Sequence, residues 1–245
     1  MQLEVFARVA GFGGAGARFE TLAGALPALT AAGYAGVEAP LALAESIPDF
    51  RSRLGEYGLD FIATPSVGDA DAADAPTALA QLVDDAAFHR PRLLAVAGAL
   101  EATDDVAGLL HALAALADDA PFPVALVVPA GDLGEGALID ELLGRTPASP
   151  LLVVDATGAH VDSSAFAVRR AAACVAHLRV TPGVARDAWR ALWSAHRRAR
   201  RAAASVGVSV GPGLVGARAV RLAYDEWVSD PHTTGGARSR DRQTD

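Results

Sequence analysis

The sequence predicts a single (β/α)8 barrel, because three of its features fit that fold class together. Strand-like and helix-like segments alternate from residue 3 to residue 228, and this order is typical of α/β proteins with a parallel sheet. The segments form eight strand-then-helix units, the number at which a parallel sheet closes into a barrel. The chain has 245 residues, close to the roughly 250 residues of one such barrel. We therefore expect one domain over residues 1–229 and a disordered tail over residues 230–245.

The predicted strands are short β-prone or apolar runs. The fifth run is continuously apolar between two prolines, which is typical of a strand covered on both faces. In chain order the predicted strands span residues 3–9, 36–39, 60–64, 92–97, 123–128, 151–155, 175–180 and 206–210.

The predicted helices follow the strands and carry terminal signals. Gly33 stands just past the end of the first helix, where a left-handed residue closes the last turn. Pro48 suits the first turn of the second helix, and Gly58 ends it. Ser163 or Ser164 caps the sixth helix. In chain order the predicted helices span residues 17–32, 47–57, 76–89, 104–117, 133–143, 163–173, 185–204 and 214–228.

Composition excludes several classes of function. The chain contains no lysine, which rules out a Schiff-base lysine, a P-loop lysine and a lysine general base. Its one cysteine, Cys174, allows neither an internal disulfide nor a cysteine-based zinc cluster within one chain. A net charge of -8 argues against nucleic acid as a partner, and the arginine-rich residues 197–201 are interpreted as a solvated helix face.

The apolar residues indicate a globular protein without a membrane segment. Hydrophobic residues make up 51% of the chain, but no run reaches the roughly 18 uninterrupted residues of a membrane helix. The first residues lack the basic start and long apolar stretch of a secretory signal. We therefore expect a cytoplasmic protein that does not bind membranes.

A glycine-rich loop follows the first strand. Gly11, Gly13 and Gly16 satisfy the G-x-G-x-x-G pattern of dinucleotide sites, and Glu38 follows at roughly the expected spacing. However, Arg8 interrupts the apolar strand that normally leads into this pattern. The loop is better interpreted as the first loop of a barrel, so no cofactor is expected, and an NAD-dependent dehydrogenase is the less favoured alternative.

Four short motifs carry a resemblance to a known family. They are residues 26–38 (LPALTAAGYAGVE), 50–59 (FRSRLGEYGL), 177–180 (HLRV) and 189–193 (WRALW). In this order they resemble the sugar-phosphate isomerase/epimerase family of xylose-isomerase-like TIM barrels. The resemblance covers residues 1–228 and implies the barrel fold and an isomerase or epimerase activity.

The resemblance also implies a divalent metal held by two Glu, one Asp and one His at the ends of strands five to eight. Asp155 and His177 match the Asp and the His. Val127 and Ser209 stand where the two glutamates belong, so two ligands are lost. We expect no tightly bound metal, although a weak site on Asp155 and His177 stays open. If strands five and eight of this sequence are misaligned with those of the family, Asp132 and Glu135 are the next candidate metal ligands.

Three residues at or near predicted strand ends are the candidate catalytic groups: Glu38, Asp155 and His177. Imidazole titrates near neutrality and a carboxylate can orient it, so this set suits proton transfer without a metal. Burial of Glu38 at a barrel mouth requires a partner, which Arg8 or Arg179 can supply. The alternative is that His177 is a core histidine and Asp155 a helix cap or turn residue.

Further residues are candidates for substrate binding. Arg8 and Arg179 are candidate anion-binding or orienting groups, and His160 lies in the sixth predicted loop. Trp189 belongs to the WRALW motif of the resemblance. Gly211 and Gly213 follow the eighth strand, where barrels bind phosphate through backbone N–H groups, although glycines there also simply form turns.

The sequence thus favours an enzyme that performs isomerisation, epimerisation, cyclisation or lyase chemistry on a small hydroxylated or carbonyl substrate. The alternative is a catalytically silent barrel that binds a metabolite or a partner protein. Retention of Glu38, Asp155 and His177 favours the enzyme, whereas Val127 and Ser209 favour the silent barrel. The sequence does not determine the oligomeric state.

Overall fold

The computed structural model describes residues 4–9, 19–65, 75–97, 106–129, 151–155, 175–180, 207–210 and 222. The predicted helices over residues 133–143, 163–173 and 185–204 lie outside these ranges, and so does the predicted tail. Of the last predicted helix only Leu222 is described, and it is helical.

Eight parallel strands in the described part of the chain form a closed barrel. Each strand pairs with the next one along the chain, and β1 pairs with β8 to close the ring. The prediction of a (β/α)8 barrel is therefore confirmed, with every strand within two residues of its expected bounds. The strands are β1 Val5–Arg8, β2 Gly36–Ala39, β3 Asp60–Ala63, β4 Leu93–Val96, β5 Val124–Pro129, β6 Leu151–Asp155, β7 Val175–Val180 and β8 Gly207–Val210.

The described helices connect the first five strands. They are α1 Phe19–Ala31, α2 Leu41–Ser46, α3 Phe50–Glu56, α4 Ala75–His89 and α5 Val106–Asp119. None of these helices combines the length and hydropathy needed to cross a membrane. Their buried apolar residues recur every three or four positions, as expected for helices that pack one face inward; in α1 they are Leu22, Leu26 and Leu29.

The prediction for the second helix, residues 47–57, was wrong in two respects. Helix α2 was not predicted, because six residues are too few to show a helical period. Helix α3 begins at Phe50 rather than at residue 47, because Asp49 has φ 58° and ψ 26°. This left-handed conformation cannot continue a right-handed helix, so it separates α2 from α3.

Glycines close α1 and α3 as the sequence predicted. Gly33 has φ 82° and Gly58 has φ 64°. The N–H of Tyr34 donates to the carbonyl of Leu29 at 3.0 Å, and the N–H of Leu59 donates to that of Leu54 at 2.9 Å. These bonds return the chain from each helix directly into the following strand.

Apolar side chains fill the interior of the barrel. Phe6 from β1 is 1% exposed and is the largest member of the cluster. Its ring occupies the space beside Gly36 on β2, where a Cβ atom would lie 2.7 Å from Phe6 Cε1 and 2.3 Å from the carbonyl oxygen of Asp60. The buried members are Phe6, Ile62, Leu93, Ala95, Ala125 and Val153.

An ionic cluster lies at the amino-terminal ends of the strands. Arg92, which precedes β4, donates from Nη1 to Asp60 at 2.9 Å and from Nη2 to Glu4 at 2.5 Å. Its guanidinium carbon lies 5.8 Å from the centre of the Phe6 ring. Partial burial lowers the pKa of Arg92, but the hydrogen bonds to Glu4 and Asp60 outweigh it and raise the pKa above its usual value. The cation therefore stays charged.

Candidate functional site

Four charged side chains lie toward the carboxyl-terminal ends of their strands: Arg8 on β1, Glu38 on β2, Asp155 on β6 and Arg179 on β7. In (β/α)8 barrels this end carries the reactive groups. A fifth polar side chain, His177, lies near the middle of β7. All five were predicted as site residues from the sequence.

Strand alternation explains why these side chains share one side of the sheet. Val153 belongs to the interior cluster, and Asp155 follows it by two residues, so the two side chains point the same way. In the ladder between β6 and β7, Val153 pairs with His177 and Asp155 pairs with Arg179. On β1, Arg8 likewise follows the interior residue Phe6 by two positions, so their side chains point the same way, and Arg8 pairs with Glu38.

Arg179 connects the two carboxylates of the site. Its Nε donates to Glu38 Oε1 at 2.6 Å, and its Nη1 donates to Asp155 Oδ2 at 3.2 Å. The Arg179 side chain is 4% exposed. A buried charge is costly unless it is paired and hydrogen-bonded, and Arg179 and Glu38 satisfy that condition for each other.

The imidazole of His177 lies beside the second oxygen of Glu38. His177 Nε2 is 3.6 Å from Glu38 Oε2, and both side chains are almost completely buried. The edge-to-face contact between the rings of Phe6 and His177 has a centroid distance of 5.6 Å and an angle of 76°. Phe6 was not among the site residues predicted from the sequence, although its position two residues before Arg8 on the same strand was a usable signal.

Exposure increases from Glu38 toward Arg8. The side chains of Glu38, Asp155 and Arg8 are 1%, 16% and 24% exposed. Arg8 Nη2 lies 3.4 Å from Asp155 Oδ2, whereas its Nε lies 3.9 Å from Glu38 Oε1. Asp155 and Arg8 therefore form the more solvent-exposed side of the cluster.

The remaining predicted site residues lie outside the described residues. They are His160, Trp189, Gly211 and Gly213, together with the alternative metal ligands Asp132 and Glu135 and the glycine-rich residues 11–16. Their roles stay predictions. Ser209 is described only through its backbone, which pairs with Arg179 and with Phe6.

The described donors do not fit the divalent metal that the sequence resemblance implies. Among the described residues, no group of three or more His, Cys, Asp and Glu side chains is placed to bind a metal ion. The position beside Asp155 on β5 is occupied by Pro129, which has no side-chain donor. Both carboxylates are also already paired with guanidinium groups, which would repel a cation.

A closed parallel barrel with its charged cluster toward the carboxyl-terminal end defines the class of this protein: it is a TIM barrel. No family model and no curated protein sequence matches the chain. Several solved structures do match the chain in fold.

D-Psicose 3-epimerase from Clostridium cellulolyticum H10 matches with a TM-score of 0.60 and 11% identity, over 93% of this chain and 98% of the epimerase chain. D-Allulose 3-epimerase from Methylomonas sp. matches with a TM-score of 0.60 and 16% identity, over 86% of this chain and 83% of the epimerase chain. A xylose isomerase domain protein from Planctomyces limnophilus matches with a TM-score of 0.56 and 12% identity, over 92% of this chain and 95% of the matched chain. The chain thus shares the fold that its sequence motifs implied.

The structural likeness establishes the fold and not the reaction. Barrels whose names carry other chemistries, aldo-keto reductase and deoxyribose-phosphate aldolase, are matched at a TM-score of 0.53. Because one barrel fold supports many reactions, the residues of the charged cluster, and not the fold, decide which reaction is possible.

Proposed function

We propose that this chain is an isomerase- or epimerase-like enzyme that transfers a proton on a small hydroxylated or carbonyl substrate at the mouth of the barrel. The observation that carries this proposal is the contact of the buried Glu38 carboxylate with His177 on one side and with Arg179 on the other. A carboxylate and an imidazole in one buried site are suited to general acid–base chemistry.

The residues divide into a proton-transfer pair and an orienting set. Glu38 and His177 are the acid–base pair, because their titratable atoms lie 3.6 Å apart in a water-poor environment. Asp155 and Arg8 contact the substrate, because they form the solvent side of the cluster. Arg179 orients both carboxylates and stabilises negative charge that develops on a substrate oxygen.

The names of the matched structures support the substrate class. Two are sugar 3-epimerases and one is a xylose isomerase domain protein. These names point to polyhydroxylated carbonyl compounds, whose carbon-bound protons next to a carbonyl group are the ones that an acid–base pair can move. We extend this substrate class to the present chain as a proposal.

Solvent deuterium exchange tests the proposal. The purified protein is incubated in deuterium oxide with a panel of ketoses, aldoses and their phosphates, and deuterium incorporation at carbon is followed by NMR and mass spectrometry. We expect exchange into at least one compound. His177→Asn should lower its rate by roughly 10²-fold or more, because a positioned acid or base contributes about that much. Asp155→Asn should lower the rate as well, because it removes a charged contact to the substrate.

His111→Asn is the matched control, because His111 is an exposed residue of α5. It should leave the exchange rate unchanged. If a compound binds but shows no exchange and no product, and neither site variant alters its binding, the proton-transfer proposal is wrong.

We also propose that the enzyme works without a tightly bound metal, because the described donors do not fit one. Elemental analysis after dialysis against a chelator should find no stoichiometric metal. A stoichiometric metal that survives dialysis would mean that residues outside the described ranges, such as Asp132 or Glu135, complete a metal site.

The second candidate function is a catalytically silent barrel that binds a metabolite. The pairing of both carboxylates with arginines favours it, since such a cluster can serve stability alone. Binding without exchange in the deuterium experiment would support this alternative.

A further inference from the structure

The ring of Phe6 lies against the imidazole of His177 and is itself closely packed. The two ring centroids are 5.6 Å apart, and the ring planes meet at 76°. A Cβ atom on Gly36 would lie 2.7 Å from Phe6 Cε1, so the ring is seated directly against the backbone of β2. On another side, the guanidinium carbon of Arg92 lies 5.8 Å from the ring centre. Packing of this kind leaves the Phe6 ring little room to turn.

We infer that Phe6 is a positioning residue of the candidate site, and that it sets the plane of the His177 imidazole relative to Glu38. The inference rests on the proposed function, because it concerns how the proposed acid–base pair keeps its geometry. Phe6 has no titratable group and is 1% exposed, so it acts through His177 and does not contact the substrate.

A histidine side chain needs such a contact because its ring torsion is weakly determined. The final torsion of histidine has a broad, roughly two-fold distribution, so the backbone does not fix the ring plane. Rotation about this bond changes the direction of Nε2, which lies 3.6 Å from Glu38 Oε2. Proton transfer depends on the alignment of the groups involved. An edge-to-face contact with a closely packed phenyl ring favours one orientation of the imidazole over the others.

The strand ladders show how two rings from separate strands can meet. Strand β8 lies between β1, which carries Phe6, and β7, which carries His177. Each ring has a glycine as a ladder partner: Phe6 pairs with Gly36 on β2, and His177 pairs with Gly207 on β8. Glycines within strands are typical of places where other groups approach the backbone closely. The sequence thus provides small residues beside both large rings.

Solvent deuterium exchange by Phe6→Leu, compared with Phe61→Leu, tests the inference. Phe61 is the matched control, because it is 0% exposed and makes its own edge-to-face contact, with Phe50 of α3. It precedes the interior residue Ile62, so its side chain points to the opposite side of the sheet. Both substitutions remove a buried ring and should lower the unfolding midpoint. Only Phe6→Leu should also lower kcat, by roughly tenfold, with KM changed by less than about twofold.

A double-mutant cycle separates positioning from a general structural effect. His177 makes other contacts as well, so Phe6→Leu should cost less than the roughly 10²-fold expected for His177→Asn. If Phe6 acts through the imidazole, Phe6→Leu should lower the exchange rate of the wild type but have no further effect on His177→Asn. A merely structural defect would lower the rate by the same factor in both backgrounds.

NMR of the protein labelled with ¹³C in its histidine rings reports on His177 without any substrate. The His177 signals are assigned by their loss in His177→Asn. The wild type should show nuclear Overhauser effects between the ring protons of Phe6 and His177. Phe6→Leu should shift and broaden the His177 signals, because the imidazole then samples more than one orientation, whereas Phe61→Leu should leave them unchanged. Absence of exchange in the wild type would contradict the proposed function alone, since these signals test the positioning separately.

Four results would overturn the inference. The first is a wild type without Overhauser effects between the two rings. The second is a folded Phe6→Leu protein, or a folded Phe6→Met protein if the leucine variant does not fold, whose His177 line widths or kcat equal those of the wild type. The third is an equal loss of exchange in both backgrounds of the cycle. The fourth is failure of both Phe6 variants to fold, because Phe6 would then serve the stability of the barrel.

Discussion

At the scale of single residues, the barrel interior depends on a match between a large and a small side chain. Phe6 is accommodated because Gly36, on the neighbouring strand, has no Cβ atom. The Phe6 ring in turn contacts the imidazole of His177. Interior packing and the geometry of the candidate site are therefore coupled through one aromatic ring.

Gly36→Ala should lower the free energy of unfolding by about 3 kcal/mol, at the upper end of the usual cost of overpacking. The new methyl group would meet the Asp60 carbonyl oxygen at 2.3 Å, and this backbone atom cannot rotate away as a side chain can. Urea unfolding measures the change. The matched control is Gly24→Ala in α1, where no atom lies within 4 Å of the added carbon, and it should stabilise by about 0.5–1 kcal/mol.

Glu38→Gln should destabilise the protein by about 3 kcal/mol, the lower end of the cost of breaking a buried ion pair, because it leaves the buried Arg179 guanidinium with Asp155 as its remaining carboxylate partner. The comparison is Glu45→Gln at an exposed position of α2, which should change stability by less than about 0.5 kcal/mol. Equal effects of the two substitutions in chemical unfolding would show that the buried ion pair contributes nothing specific.

At the scale of elements, the ends of α1 and α3 direct the chain into the strands that follow them. Helix α3 ends one turn before β3, and Gly58 reverses the chain between them with φ 64°. The carbonyl of Leu54 accepts the N–H of Leu59, which brings Asp60 into its ladder with Gly36. The positive φ of Gly58 thus directs the chain from α3 into β3.

Gly58→Ala should therefore cost about 1–2 kcal/mol, the strain of a left-handed L-residue. Gly55→Ala, three residues earlier, should instead stabilise α3 by about 0.5–1 kcal/mol. The two substitutions form a matched pair, because neither added carbon has an atom within 4 Å and only Gly58 has a positive φ. Thermal unfolding of both variants measures the difference, and the same sign for both would contradict the explanation from φ.

At the scale of the whole molecule, the two ends of the barrel carry different charged clusters. The cluster of Arg92, Glu4 and Asp60 connects the amino-terminal ends of three strands, while the candidate site lies toward the other end. In (β/α)8 barrels the amino-terminal end serves stability and the carboxyl-terminal end serves function. The Phe6 ring lies between them, because it contacts both Arg92 and His177.

Arg92→Met should lower stability by about 1 kcal/mol and leave solvent deuterium exchange unchanged, because the residue is partly exposed and makes its ion pairs at the opposite end of the strands from the candidate site. The difference from wild type should shrink as NaCl concentration rises. Since the pKa of Arg92 is raised, its contribution is fully present below its ordinary pKa and is lost only in strongly alkaline solution. Salt is therefore the informative variable, and a large loss of exchange activity would contradict the separation of the two ends.

The sequence by itself determined the order of the eight strands and predicted the residues of the candidate site. Alternating apolar runs predicted all eight strands, and Gly33 and Gly58 marked two helix ends, because these signals depend only on neighbours along the chain. The same local reasoning predicted that Glu38, Asp155, His177 and Arg179 lie at or near strand ends. It missed α2 and the late start of α3, since a six-residue helix has no measurable period and the left-handed Asp49 has no distinctive sequence signal.

Only the tertiary structure decided which partners these residues have. Glu38 and Arg179 are 141 positions apart in the chain, and their hydrogen bond exists because closure of the barrel brings β2 and β7 around one axis. The sequence left Arg8 and Arg179 as equal candidates for the partner of Glu38. Burial and distance select Arg179, because pairing across a barrel depends on strand register and side-chain reach, and neither quantity is local in the sequence.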